Sequence, residues 1–164
     1  MSCIPGSVYK SALLLQTVCY TLVLMRSDRK KQAKIRVGRS RPGLGLGLFA
    51  DEPLKPGNFV IEYKGKKIPT KIADTLGTRY LFEIDDVWTI DGNDAKHANE
   101  ARYINHSCKP NCEAEIDEYG RVLISAIKDI RKGEELYYDY GEEYFNEFIK
   151  PDGCKCDACL LLAT

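Results

Sequence analysis

Residues 102–112 read Arg102-Tyr103-Ile104-Asn105-His106-Ser107-Cys108-Lys109-Pro110-Asn111-Cys112, packing an amide, an imidazole, a hydroxyl and two thiols into one short run. The proline and the two asparagines stop it from continuing as an ordinary helix or a central strand. A second segment, Gly133-Glu134-Glu135-Leu136-Tyr137-Tyr138-Asp139-Tyr140-Gly141, holds three tyrosines within four residues. Strand propensity alone would make it an edge strand. Each buried hydroxyl needs a partner, however, so these tyrosines carry more polar character than a core requires. Near the C-terminus, Cys154-Lys155-Cys156-Asp157-Ala158-Cys159 carries three thiols that cannot all pair with one another but can share one metal. Tetrahedral zinc takes four such ligands. The chain has seven cysteines, an odd number. Metal binding explains the clustered ones better than a disulfide framework does, which places the protein in a reducing, intracellular compartment. A lone histidine is more often a buried, hydrogen-bonded group than a ligand, and His97 has no evident partner in the sequence.

The elements that must position these groups are short. Ile35-Arg36-Val37 alternates, Leu48-Phe49-Ala50 follows a glycine run, and Pro56-Gly57 turns the chain into Phe59-Val60-Ile61-Glu62-Tyr63. Residues 80–84 and 87–90 flank Asp85-Asp86 as one hairpin, and residues 112–116 and 121–126 flank Asp117-Glu118-Tyr119-Gly120 as another. Helical signals are confined to one or two turns at 71–76, at 99–104 and at 142–149. The segment Gly43-Leu44-Gly45-Leu46-Gly47-Leu48-Phe49-Ala50 contains a literal dinucleotide fingerprint, Gly45-x-Gly47-x-x-Ala50. That fingerprint needs a helix after it to receive the phosphates. Asp51-Glu52-Pro53-Leu54-Lys55-Pro56-Gly57 forbids that helix, which excludes the Rossmann reading. What the glycines do permit is a tight turn or close approach of backbone to a ligand.

With 164 residues, 44% hydrophobic and 29% charged, the chain is long enough for one domain with a real core. The formal net charge is zero, so whole-molecule charge selects no partner. Its distribution does: residues 26–41 hold eight basic side chains against Asp28, whereas residues 113–147 hold eleven acidic against four basic. An acidic half suits a cationic peptide, and the basic arm 26–41 offers contact with nucleic acid. Residues 11–25 are almost uninterrupted apolar sequence, but these 15 residues are short of the roughly 20 a membrane span needs. No stable membrane span is expected. The segment also lacks the charge and cleavage pattern of a secretory signal.

The runs around Asn105-His106 and Tyr138-Asp139-Tyr140 together resemble the two signature motifs of the SET-domain protein lysine methyltransferases. Gly45-Leu46-Gly47-Leu48-Phe49 is similar to the family's Gly-x-Gly-(Leu/Val)-Phe segment, and Val60-Ile61-Glu62-Tyr63-Lys64-Gly65 to the strand that follows it. The likeness covers roughly residues 34 to 161, with four motifs in the family's order. It implies the mostly-β SET fold (the β-clip), with a few short helices and a pseudoknot near the active site. It also divides the chain into a leader of unknown role at 1–33, a SET domain at 34–145 and a post-SET zinc-binding tail at 146–164.

The same resemblance implies an S-adenosylmethionine-dependent protein lysine N-methyltransferase. Gly45, Leu46, Gly47, Tyr80, Asn105, His106 and Tyr140 would contact the cofactor, with core packing as the other reading of Tyr80. Tyr140 would be the catalytic tyrosine, its hydroxyl near the reacting methyl. Tyr138 would occupy the Phe/Tyr switch position, where a hydroxyl leaves less room and favours mono- or dimethylation. The reaction is an in-line displacement by a neutral lysine amine. The ordinary lysine pKa of about 10.4 must therefore be overcome. Desolvation and the sulfonium charge both lower it, so no strong general base is required. In the family, a post-SET Cys-x-Cys-x4-Cys segment supplies three zinc ligands and the cysteine after Asn-His-Ser the fourth. Here these would be Cys154, Cys156, Cys159 and Cys108, with Cys112 as the fallback for the fourth. The third cysteine follows after two residues rather than four. The tail would close over the channel and bring Lys155 beside the cofactor. The implied partner is a lysine-containing protein, a histone tail above all, which places the protein in the nucleus or on chromosomes of a eukaryote. For a bacterial or viral owner it would be cytoplasmic or delivered to a host. The rival reading is a catalytically silent SET module that binds a peptide or chromatin partner.

Overall fold

Ten short strands and a few single-turn helices make up the molecule between residues 31–93 and 98–161, which the computed structural model describes. The apolar segment 11–25, the basic residues 26–30, Cys3, Cys19 and His97 lie outside the described residues. In chain order the strands are β1 (Ile35–Arg39), β2 (Leu46–Ala50), β3 (Phe59–Tyr63), β4 (Lys66–Pro69) and β5 (Leu81–Glu83). They continue as β6 (Trp88–Asp91), β7 (Asn105–His106), β8 (Cys112–Ile116), β9 (Val122–Ala126) and β10 (Tyr137–Tyr138). They form four small sheets: β1-β2, β3-β9-β8, β4-β6-β5 and the pair β7-β10.

Both expected hairpins are present. Asp85 builds the first, its Oδ1 accepting the backbone N–H groups of Val87 and Trp88, so that β5 turns antiparallel onto β6. Asp117 builds the second. Its Oδ1 accepts from the N–H groups of Tyr119 and Arg121, and its Oδ2 from Arg121 Nε at 2.7 Å. Slight burial opposes ionisation of this carboxyl, but the three donors outweigh it and hold Asp117 below the usual carboxylate range. No helix follows the glycine run. β2 itself begins at Leu46, pairs antiparallel with β1, and the chain continues to an antiparallel bridge between Leu54 and Ile130. Part of the basic stretch is built into this sheet: β1 carries Arg36 and Arg39, and the Arg36 guanidinium lies 4.9 Å from the centre of the Phe49 ring.

The core lies where the sheets meet. β9 alternates strictly, with Val122, Ile124 and Ala126 buried between less buried neighbours, as a strand with one face on a core must. Leu48, Val60, Ile104 and Leu136 pack into the same cluster. Helical turns at Thr70–Ala73 and Glu100–Tyr103 fall at two of the expected sites. At the third, Glu142–Tyr144 runs into a wider π turn, Phe145–Ile149.

The contact that builds the site is the parallel pairing of β7 with β10, Asn105 opposite Tyr137 and His106 opposite Tyr138. Parallel strands need a long crossover, and the β8–β9 hairpin lies within it. The pairing sets the two signature segments side by side, as the expected pseudoknot requires. Asn111 completes it, donating Nδ2–H to the Glu135 carbonyl and accepting the Tyr137 N–H, each at 2.8 Å. An amide side chain therefore supplies ladder bonds on both sides of Leu136, which is fully buried.

Gly65 shows how closely β3 and the sheet of β6 approach. A Cβ there would sit 2.6 Å from the carbonyl carbon of Asp91 and 2.7 Å from Ile90 Cγ2. Backbone on one side cannot swing away as a side chain could. Gly65→Ala is expected to destabilise the fold by about 1–3 kcal/mol, read as a lower denaturant midpoint at unchanged slope.

Candidate active site

Where β7 and β10 meet the glycine loop and the C-terminal tail, a cavity of about 950 Å³ opens. That lies within the range of small-molecule sites. The loop before β2 contributes Gly45 and the start of β2 Leu46, the β7 strand Asn105 and His106, and the chain around β10 Tyr138 and Tyr140. Tyr80 closes one side and Lys155 comes in from the tail. Gly47 does not line the cavity but sits behind it. The Glu135 carboxylate occupies the space a Cβ at Gly47 would need, its Cδ 2.7 Å from that position.

One wall is an aromatic ladder. Ring centres are 4.8 Å apart from Tyr138 to Tyr140, 4.9 Å from Tyr140 to Tyr144 and 4.7 Å from Tyr144 to Phe148. The Tyr140 hydroxyl donates to the Ile104 carbonyl at 2.7 Å. Burial, and secondarily the neighbouring phenols, push the Tyr138 and Tyr140 hydroxyls well above the ordinary tyrosine range. Both are therefore neutral at physiological pH, available as hydrogen-bonding groups and not as bases.

Asn105 uses both amide hydrogens internally, donating to the Leu46 carbonyl at 3.0 Å and to Glu135 Oε1 at 2.8 Å. It thereby ties the glycine loop to β7. His106 is buried with both ring nitrogens engaged: Nδ1 accepts the Tyr140 N–H at 3.3 Å, and Nε2 faces Cys108 Sγ at 3.4 Å. Burial lowers its pKa, and Asp139, 3.6 Å away, only partly opposes this. The ring is thus neutral, and with Nδ1 accepting, its proton belongs on Nε2. The side chain serves the thiols and the backbone just past β10.

Four residues that sequence reasoning passed over also belong here. Arg102 lies over the rings of Tyr80 and Tyr103, at 4.8 and 5.2 Å, and its buried Nε has no acceptor among the described residues. Glu135 gathers Ser40, Asn105 and Tyr137 on one carboxylate. Tyr144 and Phe148 extend the ladder from the C-terminal turns. Signals existed for each: Arg102 opens the Asn-His run, Glu135 precedes the tyrosines, and Tyr144 and Phe148 are spaced to share a helical face.

The thiols of Cys108, Cys154, Cys156 and Cys159 lie within 4.8 Å of one another, with Cys108 Sγ 3.5 Å from Cys159 Sγ and 3.9 Å from Cys154 Sγ. A tetrahedron of Zn–S bonds near 2.3 Å spaces its sulfurs by about 3.8 Å, so the group fits zinc. The short spacing reaches because the helical turn Asp157–Leu160 folds back, with the Cys159 and Leu160 N–H groups donating to the Cys156 carbonyl. Burial opposes ionisation of Cys156, but backbone N–H groups and neighbouring thiols outweigh it and bring that thiol down to about 6. Cys112 is no fallback: it is buried in β8 opposite Ala126 and outside the cluster.

Residues 45–141 match the family model of the SET domain, and the chain belongs to that family. Among curated relatives, a histone-lysine N-methyltransferase, H3 lysine-4 specific, of Aspergillus oryzae is 35% identical over 159 residues. That match covers 90% of this chain and 12% of the relative. The protein of the same description from Schizosaccharomyces pombe is 41% identical over 142 residues, covering 79% of this chain and 15% of its own length. The chain therefore spans about an eighth of the curated relatives it matches. Among solved structures, ctPRC2 in an autoinhibited conformation bound to S-adenosylmethionine superimposes with a TM-score of 0.60 at 33% identity. It covers 68% of this chain and 15% of the other. A humanized mutant of the Chaetomium thermophilum Polycomb Repressive Complex 2 bound to the inhibitor GSK126 gives 0.61 at 34% identity, with the same coverage. Among the described residues no helix is long and apolar enough to cross a membrane.

Metal analysis of the purified protein is expected to find one zinc per chain. Cys108→Ser and Cys159→Ser are each expected to lose it, and Cys112→Ser to retain it. Zinc retained without Cys159 would show that the shortened tail supplies no third ligand.

Proposed function

We propose that this chain is an S-adenosylmethionine-dependent protein lysine N-methyltransferase that acts on a histone tail in chromatin, with residues 34–145 as the catalytic unit and 146–164 as its zinc-binding tail. The observation that carries this reading is the aromatic-walled cavity at the β7–β10 pairing, where Asn105, His106, Tyr138 and Tyr140 converge. The relatives named as histone-lysine N-methyltransferases, and the neighbour bound to S-adenosylmethionine, supply the chemistry such a cavity would host. A carboxylate rim supplies the substrate preference. Burial raises the Glu83 carboxyl, and the crowding of Glu143, Asp86, Asp74 and Asp85 adds to it. Such a rim draws in a cationic peptide.

Bound in this cavity, S-adenosylmethionine would supply an electrophilic methyl on a sulfonium sulfur. Arg102, with its unpartnered Nε, offers the counter-charge for the cofactor carboxylate. Gly45, Leu46 and Asn105 border the space beside it, and His106 and Lys155 close it. Tyr138 and Tyr140, both neutral, line the approach of the lysine side chain. They exclude water and hold the amine in line, where desolvation keeps it unprotonated. The released proton goes to solvent. Four closely spaced thiols that zinc can join hold the tail against the cavity.

The test is transfer of labelled methyl groups to histone H3, read by mass spectrometry of lysine residues. Wild-type protein is expected to methylate the H3 tail, and Tyr140→Phe to lower the rate by about a hundredfold, the scale of a small misplacement at a reacting centre. Cofactor binding with no transfer to any lysine-rich substrate would favour a silent binding module instead. On the same substrate the wild-type product is expected to stop at mono- or dimethyl-lysine. Tyr138→Phe, which removes a hydroxyl from the channel, is expected to shift the products toward higher methylation.

A further inference from the structure

Arg41 stands apart from the cavity but joins its two halves. It belongs to the loop between β1 and β2 and lines no part of the cavity. Its side chain is only 19% exposed, although arginine in a basic stretch would ordinarily face solvent. Nη1 pairs with the carboxylate of Asp157, the first residue of the helical turn that returns Cys159 to the cysteine cluster. Nη2 donates to the Tyr137 hydroxyl at 3.1 Å, and the guanidinium lies 5.7 Å from the centre of the Tyr137 ring. The Tyr137 hydroxyl in turn donates to Glu135 Oε2 at 2.7 Å, and Glu135 Oε1 accepts from Asn105 Nδ2 at 2.8 Å. Burial, then the hydrogen bond to Glu135, raises the Tyr137 hydroxyl to about 12, which keeps it a donor. An unbroken polar chain therefore runs from the cavity, at Asn105, to the cysteine tail, at Asp157. The tail also rests on the glycine loop: a Cβ at Gly43 would lie 3.2 Å from Lys155 Cδ.

We propose that Arg41 is a positioning residue, a latch that makes docking of the cysteine tail and retention of the cofactor one coupled event, acting through Tyr137, Glu135 and Asn105. This rests on the methyltransferase reading above. An ion pair whose carboxylate is largely exposed, as that of Asp157 is, contributes little stability, so Arg41–Asp157 is not what holds the tail down. Its effect is conditional. The planar fork reaches Asp157 and Tyr137 together only with the tail docked. That geometry holds the Tyr137 hydroxyl on Glu135, and Glu135 then fixes the Asn105 amide that ties down the glycine loop. Lysine carries its donors on one nitrogen, without the spread by which Nη1 and Nη2 each meet a separate partner. Linkage makes the effect reciprocal: a cofactor that favours the ordered loop must also favour the docked tail.

The experiment measures zinc release from the full chain to a chromogenic chelator, with and without S-adenosylhomocysteine, the unreactive product. In the wild-type protein the product is expected to slow zinc release about fivefold or more, the low end of ordinary coupling. Arg41→Ala and Asp157→Ala are each expected to abolish most of that slowing, and the double variant to add nothing further. Arg41→Lys is expected to behave like Arg41→Ala. Zinc-loaded Arg41→Ala should also bind S-adenosylhomocysteine more weakly by calorimetry, although Arg41 does not border the cavity. Circular dichroism melts establish that each variant is folded. Product-dependent slowing that persists in both single variants, or a wild-type protein that binds the product without any slowing, overturns the latch alone. A wild-type protein that binds no S-adenosylhomocysteine instead sinks the methyltransferase reading on which it rests.

Discussion

Two residues of parallel ladder are too little backbone pairing to hold two distant segments in register, yet Asn105–His106 against Tyr137–Tyr138 is the contact around which the cavity is built. Side chains make up the difference. Asn111 supplies two ladder bonds that a longer strand would have supplied. Glu135 ties β7 to the glycine loop through Asn105, and His106 accepts the Tyr140 N–H. Asn105, His106 and Asn111, which could be read as chemical equipment, also substitute for missing backbone pairing. A buried polar network of this kind is specific only when every member is satisfied, which is why so many hydrogen bonds converge on so few residues.

Burial governs the electrostatics of the site. It keeps the Tyr138 and Tyr140 hydroxyls protonated and the His106 ring neutral. None of these groups is a strong base at neutral pH. A site so arranged suits a reaction whose nucleophile is made competent by desolvation and whose proton leaves to water. Charge is kept to the rim, where Glu83 and its acidic neighbours crowd together, and to Arg102. The proposed methyl transfer needs this division between an apolar, aromatic channel and a charged mouth.

The cysteine tail shows how local backbone geometry can make an unusual spacing workable. Cys156 and Cys159 are three apart, and the helical turn between them points both sulfurs to the same place. The cluster is assembled from one residue beside β7 and three from the tail, so a bound metal would staple the tail to the β7–β10 pairing. His106, reaching from β7 to Cys108, joins the thiols to the tyrosine segment through a single ring.

Much of the fold was legible in the residues. Aspartate turns at Asp85 and Asp117 marked both hairpins, because a short carboxylate can accept two backbone N–H groups and close the turn locally. Proline after the glycine run excluded a helix there for an equally local reason. The likeness of four motifs to one family named Gly45, Leu46, Tyr80, Asn105, His106, Tyr138, Tyr140 and Lys155, all of which line the cavity. What the sequence could not settle was which group a side chain faces. Gly47 lies behind the cavity because Glu135 fills the space beside it, and His106 turns its ring toward sulfur.

Turn chemistry at the two hairpins and the motifs that carry Asn105, His106, Tyr138 and Tyr140 were determined by the sequence alone, since each depends on neighbours a few positions away or on a pattern read in order. Tertiary structure alone decided that Cys108 and not Cys112 joins the tail thiols, and that Arg41 pairs with Asp157 and Tyr137 rather than standing free on a basic arm. It likewise placed Arg102, whose Nε has no acceptor among the described residues, against the cavity. The reason is common to all three. Each depends on a distance between residues far apart in the chain, and only the packing of the small sheets sets that distance.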